Sequence, residues 1–196
     1  MSITRVRNAD FRMGRWLNGA GTSWTIATSP PGAALPNVHW QFATALIERS
    51  VPFSLLPGID RVLTLLDGPG FTLEFADAKE IVVDCVHAPA AFPGDVAIEC
   101  RVTSGVSRVL NLLFARELYR ADTAVGAGPF VIPPQAEVAF IYALSGPSQL
   151  RSAGLTVELS EGDAAIIESP DAEVVCNVTG GGGQLFRAQL SRHSGP

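Results

Sequence analysis

The chain has 196 residues, is 47% hydrophobic and only 17% charged, and carries a formal charge of −5. So apolar and charge-poor a composition excludes intrinsic disorder and the Glu-, Lys- and Arg-rich helical arrays. An acidic balance with no cluster of Lys or Arg argues against nucleic acid and anionic membranes as partners.

In chain order, the opening MSITRVRNAD lacks the apolar core of a signal peptide. No later apolar run approaches the ~18 residues of a membrane span, so a soluble, cytoplasmic protein is expected. Short runs rich in Val, Ile, Leu, Phe and Thr then recur at 24–28, 38–47, 62–66, 71–75, 81–85 and 97–102. They continue at 109–114, 138–144, 156–159, 164–168, 173–178 and 184–190. Gly, Pro, Asp or Ser bounds each run, and no window holds a helical period, so the chain reads as all-β.

An internal echo sharpens that reading. Leu63-Thr-Leu-Leu-Asp-Gly-Pro-Gly-Phe-Thr-Leu73 matches Ile141-Tyr-Ala-Leu-Ser-Gly-Pro-Ser-Gln-Leu150 around a shared Gly-Pro, and each reads as a hairpin. Downstream, Pro93-Gly-Asp95 is echoed by Glu161-Gly-Asp163, each opening another strand. This is the sequence pattern of a cupin-type jelly roll, and two copies predict two tandem barrels packed as one globule, a bicupin. The expected units are 1–115 and 116–196, with strands at the termini free to exchange between barrels.

Chemical motifs are sparse. His39, His87 and His193 are far apart and form no metal-ligand pattern, so no metal, and no other cofactor, is expected. No nucleophile elbow or cysteine signature is present, and the reading leans against an enzyme with no catalytic residue assigned. Gly180–Gly183 lacks the Lys-Ser/Thr and helix of a phosphate loop and reads as a flexible hairpin loop. Cys85, Cys100 and Cys176 form no CxxC pair and suit free, buried thiols in a reducing compartment.

Polar and aromatic residues in Gly- and Pro-rich turns remain. Trp16 offers a ring face, Asn18 an amide and Thr22 a hydroxyl in a segment whose glycines free the backbone. Arg61 either holds a turn with Asp60 or points inward to meet a carboxylate bidentately. Asn111 interrupts an apolar run and must be hydrogen-bonded to backbone or ligand.

Trp16-x-Asn-Gly-x-Gly-Thr22, Trp40, Pro52-Phe-Ser, Pro57-Gly-Ile-Asp-Arg61, Leu65-Leu-Asp-Gly68, Phe92-Pro-Gly-Asp95 and Arg108-x-x-Asn111 occur in that order. Together they resemble the HutD/Ves family over about residues 10–113. The resemblance implies a double-domain cupin without the usual metal motif, from a family often encoded with histidine-catabolism genes. It also implies a protein that binds a small pathway metabolite and tunes flux. Family members usually carry Lys, Glu, Arg and Asp where Leu17, Thr25, Gln41 and Val109 stand here. If those positions line the pocket, this chain binds a less charged ligand, or none.

The expected ligand site is therefore Trp16, Asn18, Thr22, Trp40, Arg61 and Asn111, an aromatic wall with a few convergent polar groups. Two rival readings stand beside it. One is an isomerase, hydrolase or oxygenase on a degenerate cupin site; the other is a ligand-free interaction scaffold. A small molecule is the expected partner, and edge strands with low charge invite homodimerisation.

Overall fold

The computed structural model describes residues 2–19, 21–134 and 136–193. These are all-β, with nineteen strands and one short 3-10 turn at Asn8–Asp10. No helix among them is long and apolar enough to cross a membrane. The chain divides into two compact units, one spanning Arg12–Leu118 and the other built from residues 2–11 and 119–193.

Strand β1 (Ser2–Val6) opens the chain. The Arg12–Leu118 unit then holds β2 (Arg12–Arg15), β3 (Thr22–Ser29), β4 (Trp40–Ile47), β5 (Val51–Pro52) and β6 (Ile59–Asp67). It continues with β7 (Phe71–Phe75), β8 (Glu80–Val83), β9 (Pro89–Pro93), β10 (Ile98–Arg101) and β11 (Ser107–Ala115). Two sheets result, in the orders β2-β3-β4-β11-β6-β9 and β5-β10-β7-β8. Their facing side chains form one core: Leu63, Leu65 and Val109 from the larger sheet meet Phe71, Leu73 and Cys100 from the smaller.

The second unit adds β12 (Tyr119–Gly126), β13 (Phe130–Ile132), β14 (Val138–Ser145) and β15 (Ser148–Ser152). It ends with β16 (Leu155–Leu159), β17 (Ala164–Glu168), β18 (Val174–Val178) and β19 (Gln184–Arg192). Here the sheets run β1-β17-β14-β19-β12 and β13-β18-β15-β16, enclosing Ile132, Ile141, Leu150, Leu159 and Ile167. The N-terminal strand thus completes the C-terminal unit by pairing antiparallel with β17. Asp163, almost fully buried, fastens this join. It accepts the Asn8 N–H at 3.0 Å, the Ser160 N–H at 3.2 Å and the Arg5 guanidinium at 2.6 and 3.1 Å.

The Gly-Pro echoes are not hairpins. In each, the preceding strand (β6 or β14) and the following strand (β7 or β15) belong to different sheets, so the turn is a corner between layers. Gly68 shows why glycine stands at such a corner. Its φ is +102°, and a Cβ there would lie 2.3 Å from the Val106 carbonyl oxygen. The two Gly-Asp turns also pass between sheets, and so does Gly180–Gly183, which joins β18 to β19 rather than closing a hairpin. An apolar strand followed by a tight turn looks the same in sequence whether the chain folds back or crosses layers. Among the cysteines, Cys100 and Cys176 are buried but Cys85 is exposed, because it lies past the end of β8.

Candidate functional site

A cavity of about 260 Å³ opens within the Arg12–Leu118 unit, on the inner face of its six-stranded sheet. Strand parity decides which side chains reach it, since alternate residues of a strand face opposite sides. Every lining residue from the sheet's four central strands has an odd number. They are Ser23 and Thr25 on β3; Gln41, Ala43, Ala45 and Ile47 on β4; Arg61 and Leu63 on β6; and Val109, Asn111 and Leu113 on β11. Register aligns them into rows across the sheet. One row runs Thr25, Ala43, Asn111, Leu63, and the next runs Gln41, Leu113, Arg61. Large residues such as Trp40 and Phe42 occupy the even positions of β4, while the small Ala43 and Ala45 leave room on the inner side.

The rim is built from turns. Trp16, just after β2, stacks edge-on against Phe53 with ring centroids 5.9 Å apart. Its N–H donates to the Gly21 carbonyl at 3.1 Å, and its own carbonyl accepts the Gly19 N–H at 2.9 Å. Gly21 has no room for a side chain, because a Cβ would fall 2.6 Å from the Trp16 ring. Asn18 pins this strap by donating its side-chain N–H to the Pro52 carbonyl at 2.8 Å.

Arg61 dominates the electrostatics. It is only 8% exposed, yet it lines the cavity and meets no carboxylate among the described residues. Nη2 donates to the Ser54 carbonyl, the guanidinium lies 5.4 Å from the Phe53 ring centroid, and the buried Nε has no hydrogen-bond partner. Burial lowers its pKa to about 10, so it remains a cation at neutral pH. Neighbouring Asp60, of opposite parity, does not pair with it. Asp60 accepts Arg116 at 2.6 and 2.9 Å instead, and the same guanidinium also holds Asp95 at 2.9 and 3.1 Å.

Of the residues expected from sequence, Trp16, Arg61 and Asn111 come together at the cavity. Trp40 is buried on the opposite face of the sheet, and Thr22, at the start of β3, shares that even parity. Asn18 holds the rim without lining the cavity. Leu17, Thr25, Gln41 and Val109, the four uncharged positions noted above, all line it. Gln41, Thr25, Ser23 and Ser54 are polar lining residues outside the expected set; the large–small alternation of β4 was the available signal for Gln41.

None of the three histidines lines the cavity. Among the described residues no group of three or more His, Cys, Asp or Glu side chains is placed to hold a metal ion. What the lining can do is bind: one buried cation, two amides on the neighbouring strands β11 and β4, hydroxyls and apolar walls.

Comparison with known proteins agrees with this architecture. Protein Ves of Citrobacter koseri is 33% identical over 145 residues, covering 73% of each chain. An uncharacterized 21.2 kDa protein in the hutC 3′ region of Pseudomonas putida is 29% identical over 153 residues, 78% of this chain and 80% of that one. The structure of HutD from Pseudomonas fluorescens superposes with a TM-score of 0.82 at 22% identity, over 98% of this chain and all of the other. A cupin 2 conserved barrel protein from Leptotrichia buccalis shares the fold more distantly, at a TM-score of 0.58 and 6% identity, over 97% and 98%. The HutD family model matches residues 8–186, and the chain belongs to the HutD family.

Proposed function

We propose that this protein binds a small anionic metabolite in the cavity, with Arg61 as its anchor, and acts in a regulatory or accessory role in histidine utilisation. The observation that carries the reading is the guanidinium itself. It is only 8% exposed, lines an open cavity and, among the described residues, has no counter-charge and an unpartnered Nε. An isolated buried charge is costly unless paired, and an anionic ligand supplies the missing partner. The open cavity weighs against a ligand-free scaffold, and its volume lies just under the ~300–1,000 Å³ usual for small-ligand sites. The link to histidine utilisation rests on family membership and on the relative from a hutC region. Free thiols at Cys85, Cys100 and Cys176 suit a cytoplasmic setting.

The test is a thermal-shift and tryptophan-fluorescence screen of carboxylates, phosphates and neutral sugars at millimolar concentration. Binding raises the melting temperature and alters Trp16 emission, and both responses disappear in Arg61→Gln. No response to any compound refutes the reading.

A further inference from the structure

We infer that the cavity selects acids that carry no free ammonium group, taking monocarboxylates with an apolar or neutral polar body over α-amino acids of the same shape. This rests on the reading of Arg61 as the anion anchor. Among the described residues the lining contains two cations, buried Arg61 and exposed Arg15, and no Asp or Glu. Asp60, adjacent to Arg61 in sequence, is engaged by Arg116, which also holds Asp95. An ammonium entering here leaves water for a wall of Ala, Leu, Ile and Val side chains and meets neutral acceptors alone among the described lining side chains: Gln41, Asn111, Thr25, Ser23 and Ser54.

Geometry compounds the penalty. In an α-amino acid the ammonium sits one carbon from the carboxylate. Seating the carboxylate on Arg61 therefore draws the ammonium towards the same guanidinium, with no anion nearby to offset the repulsion. An uncharged substituent at that carbon escapes both costs. The two groups of an amino acid thus work against each other in this site, while a simple acid uses the one strong interaction available. A second carboxylate would gain little, since Arg15 stands exposed on β2 where water screens it.

Isothermal titration of the whole protein with matched pairs tests this: acetate and glycine, butyrate and 2-aminobutyrate, phenylacetate and phenylglycine, 3-phenylpropanoate and phenylalanine. The expected result is that at least one acid binds and that its amino counterpart binds at least about tenfold more weakly, equivalent to about 1.4 kcal/mol. Gln41→Glu, close to isosteric, introduces the missing carboxylate and narrows the ratio. Amino acids binding as tightly as the acids, or a ratio unchanged by Gln41→Glu, overturns the inference while leaving metabolite binding intact. Binding of phosphates or sugars but of no carboxylate overturns it in the same way. Silence across these pairs and the broader screen overturns the binding reading itself.

Discussion

Replacing Arg61 by methionine should stabilise the ligand-free protein while abolishing its response to ligand. Burial lowers the guanidinium from the ordinary arginine range to about 10, which corresponds to about 3 kcal/mol against the charged form at neutral pH. The sign follows from proton binding. The folded state holds the proton less tightly than the unfolded chain, so the penalty is complete below about pH 10 and is relieved only above it. Methionine fills similar space without charge. It forfeits the hydrogen bond to the Ser54 carbonyl, about 1.5 kcal/mol, and the contact with the Phe53 ring, about 0.5 kcal/mol. A net gain of about 1 kcal/mol remains, or about 2–4 °C in melting temperature for a chain of this length. The assay is differential scanning calorimetry of both proteins after unfolding and refolding to strip any carried ligand. A melting temperature several degrees below wild type would refute the reasoning, because it would mean the cation is compensated within the protein.

Three further outcomes are expected. Gly21→Ala forces the Trp16 ring from its seat, since a Cβ would lie 2.6 Å away; it shifts tryptophan emission to the red and costs about 1–3 kcal/mol by chemical denaturation. Asp163→Asn removes the acceptor for Arg5 and costs about 1–3 kcal/mol, read as a lower melting temperature. Burial raises the Asp163 pKa, but the Asn8 N–H, Arg5 and the Ser160 N–H outweigh it and hold it below the usual range. Its contribution is therefore complete above about pH 4 and is lost as pH falls further, so wild type and Asp163→Asn converge in acid. An aromatic disulfide reagent should label one thiol of three in the native protein. Cys85 is exposed, whereas burial pushes Cys100 and Cys176 up to about 12 and keeps them protonated; fast labelling of two or three refutes this.

Much of this fold is legible in the sequence, and the omissions have one cause. The runs at 71–75 and 164–168 coincide with β7 and β17, and the longer runs fall within a residue or two of β4, β11 and β14. Strands β1, β2, β5, β9, β12 and β13 escape both the apolar runs and the Gly-Pro echoes, and every one lies at the edge of its sheet; interior β15 shows only as the second arm of its echo. An edge strand is paired on one side only and needs little apolar character, as Arg12-Met-Gly-Arg15 and Tyr119-Arg-Ala-Asp122 show. In the candidate site the same distinction recurs. Asn111 stands out as a polar residue in an apolar run, a signal independent of register, and Arg61 as a turn residue that can point inward. Trp40 attracts notice by its place in the family motifs and Thr22 by its hydroxyl in a glycine-rich segment, and register then turns both away. Gln41 and Thr25 are flagged only as uncharged counterparts of charged family positions, and strand parity is what turns them to the cavity.

That parity bears on how such a protein can change. The cavity floor and the opposite, densely packed face share four strands, residue by residue. The chemistry facing a ligand can therefore be rewritten at Thr25, Gln41, Val109 or Asn111 while the alternate side chains go on specifying the fold. The freedom is one of letters and not of length. Deleting a single residue from the middle of β4 or β11 would carry Phe42 or Leu112 into the cavity and strand an amide in the core. A lineage built on this frame can diversify its ligands by point substitution while its central strands stay fixed in register.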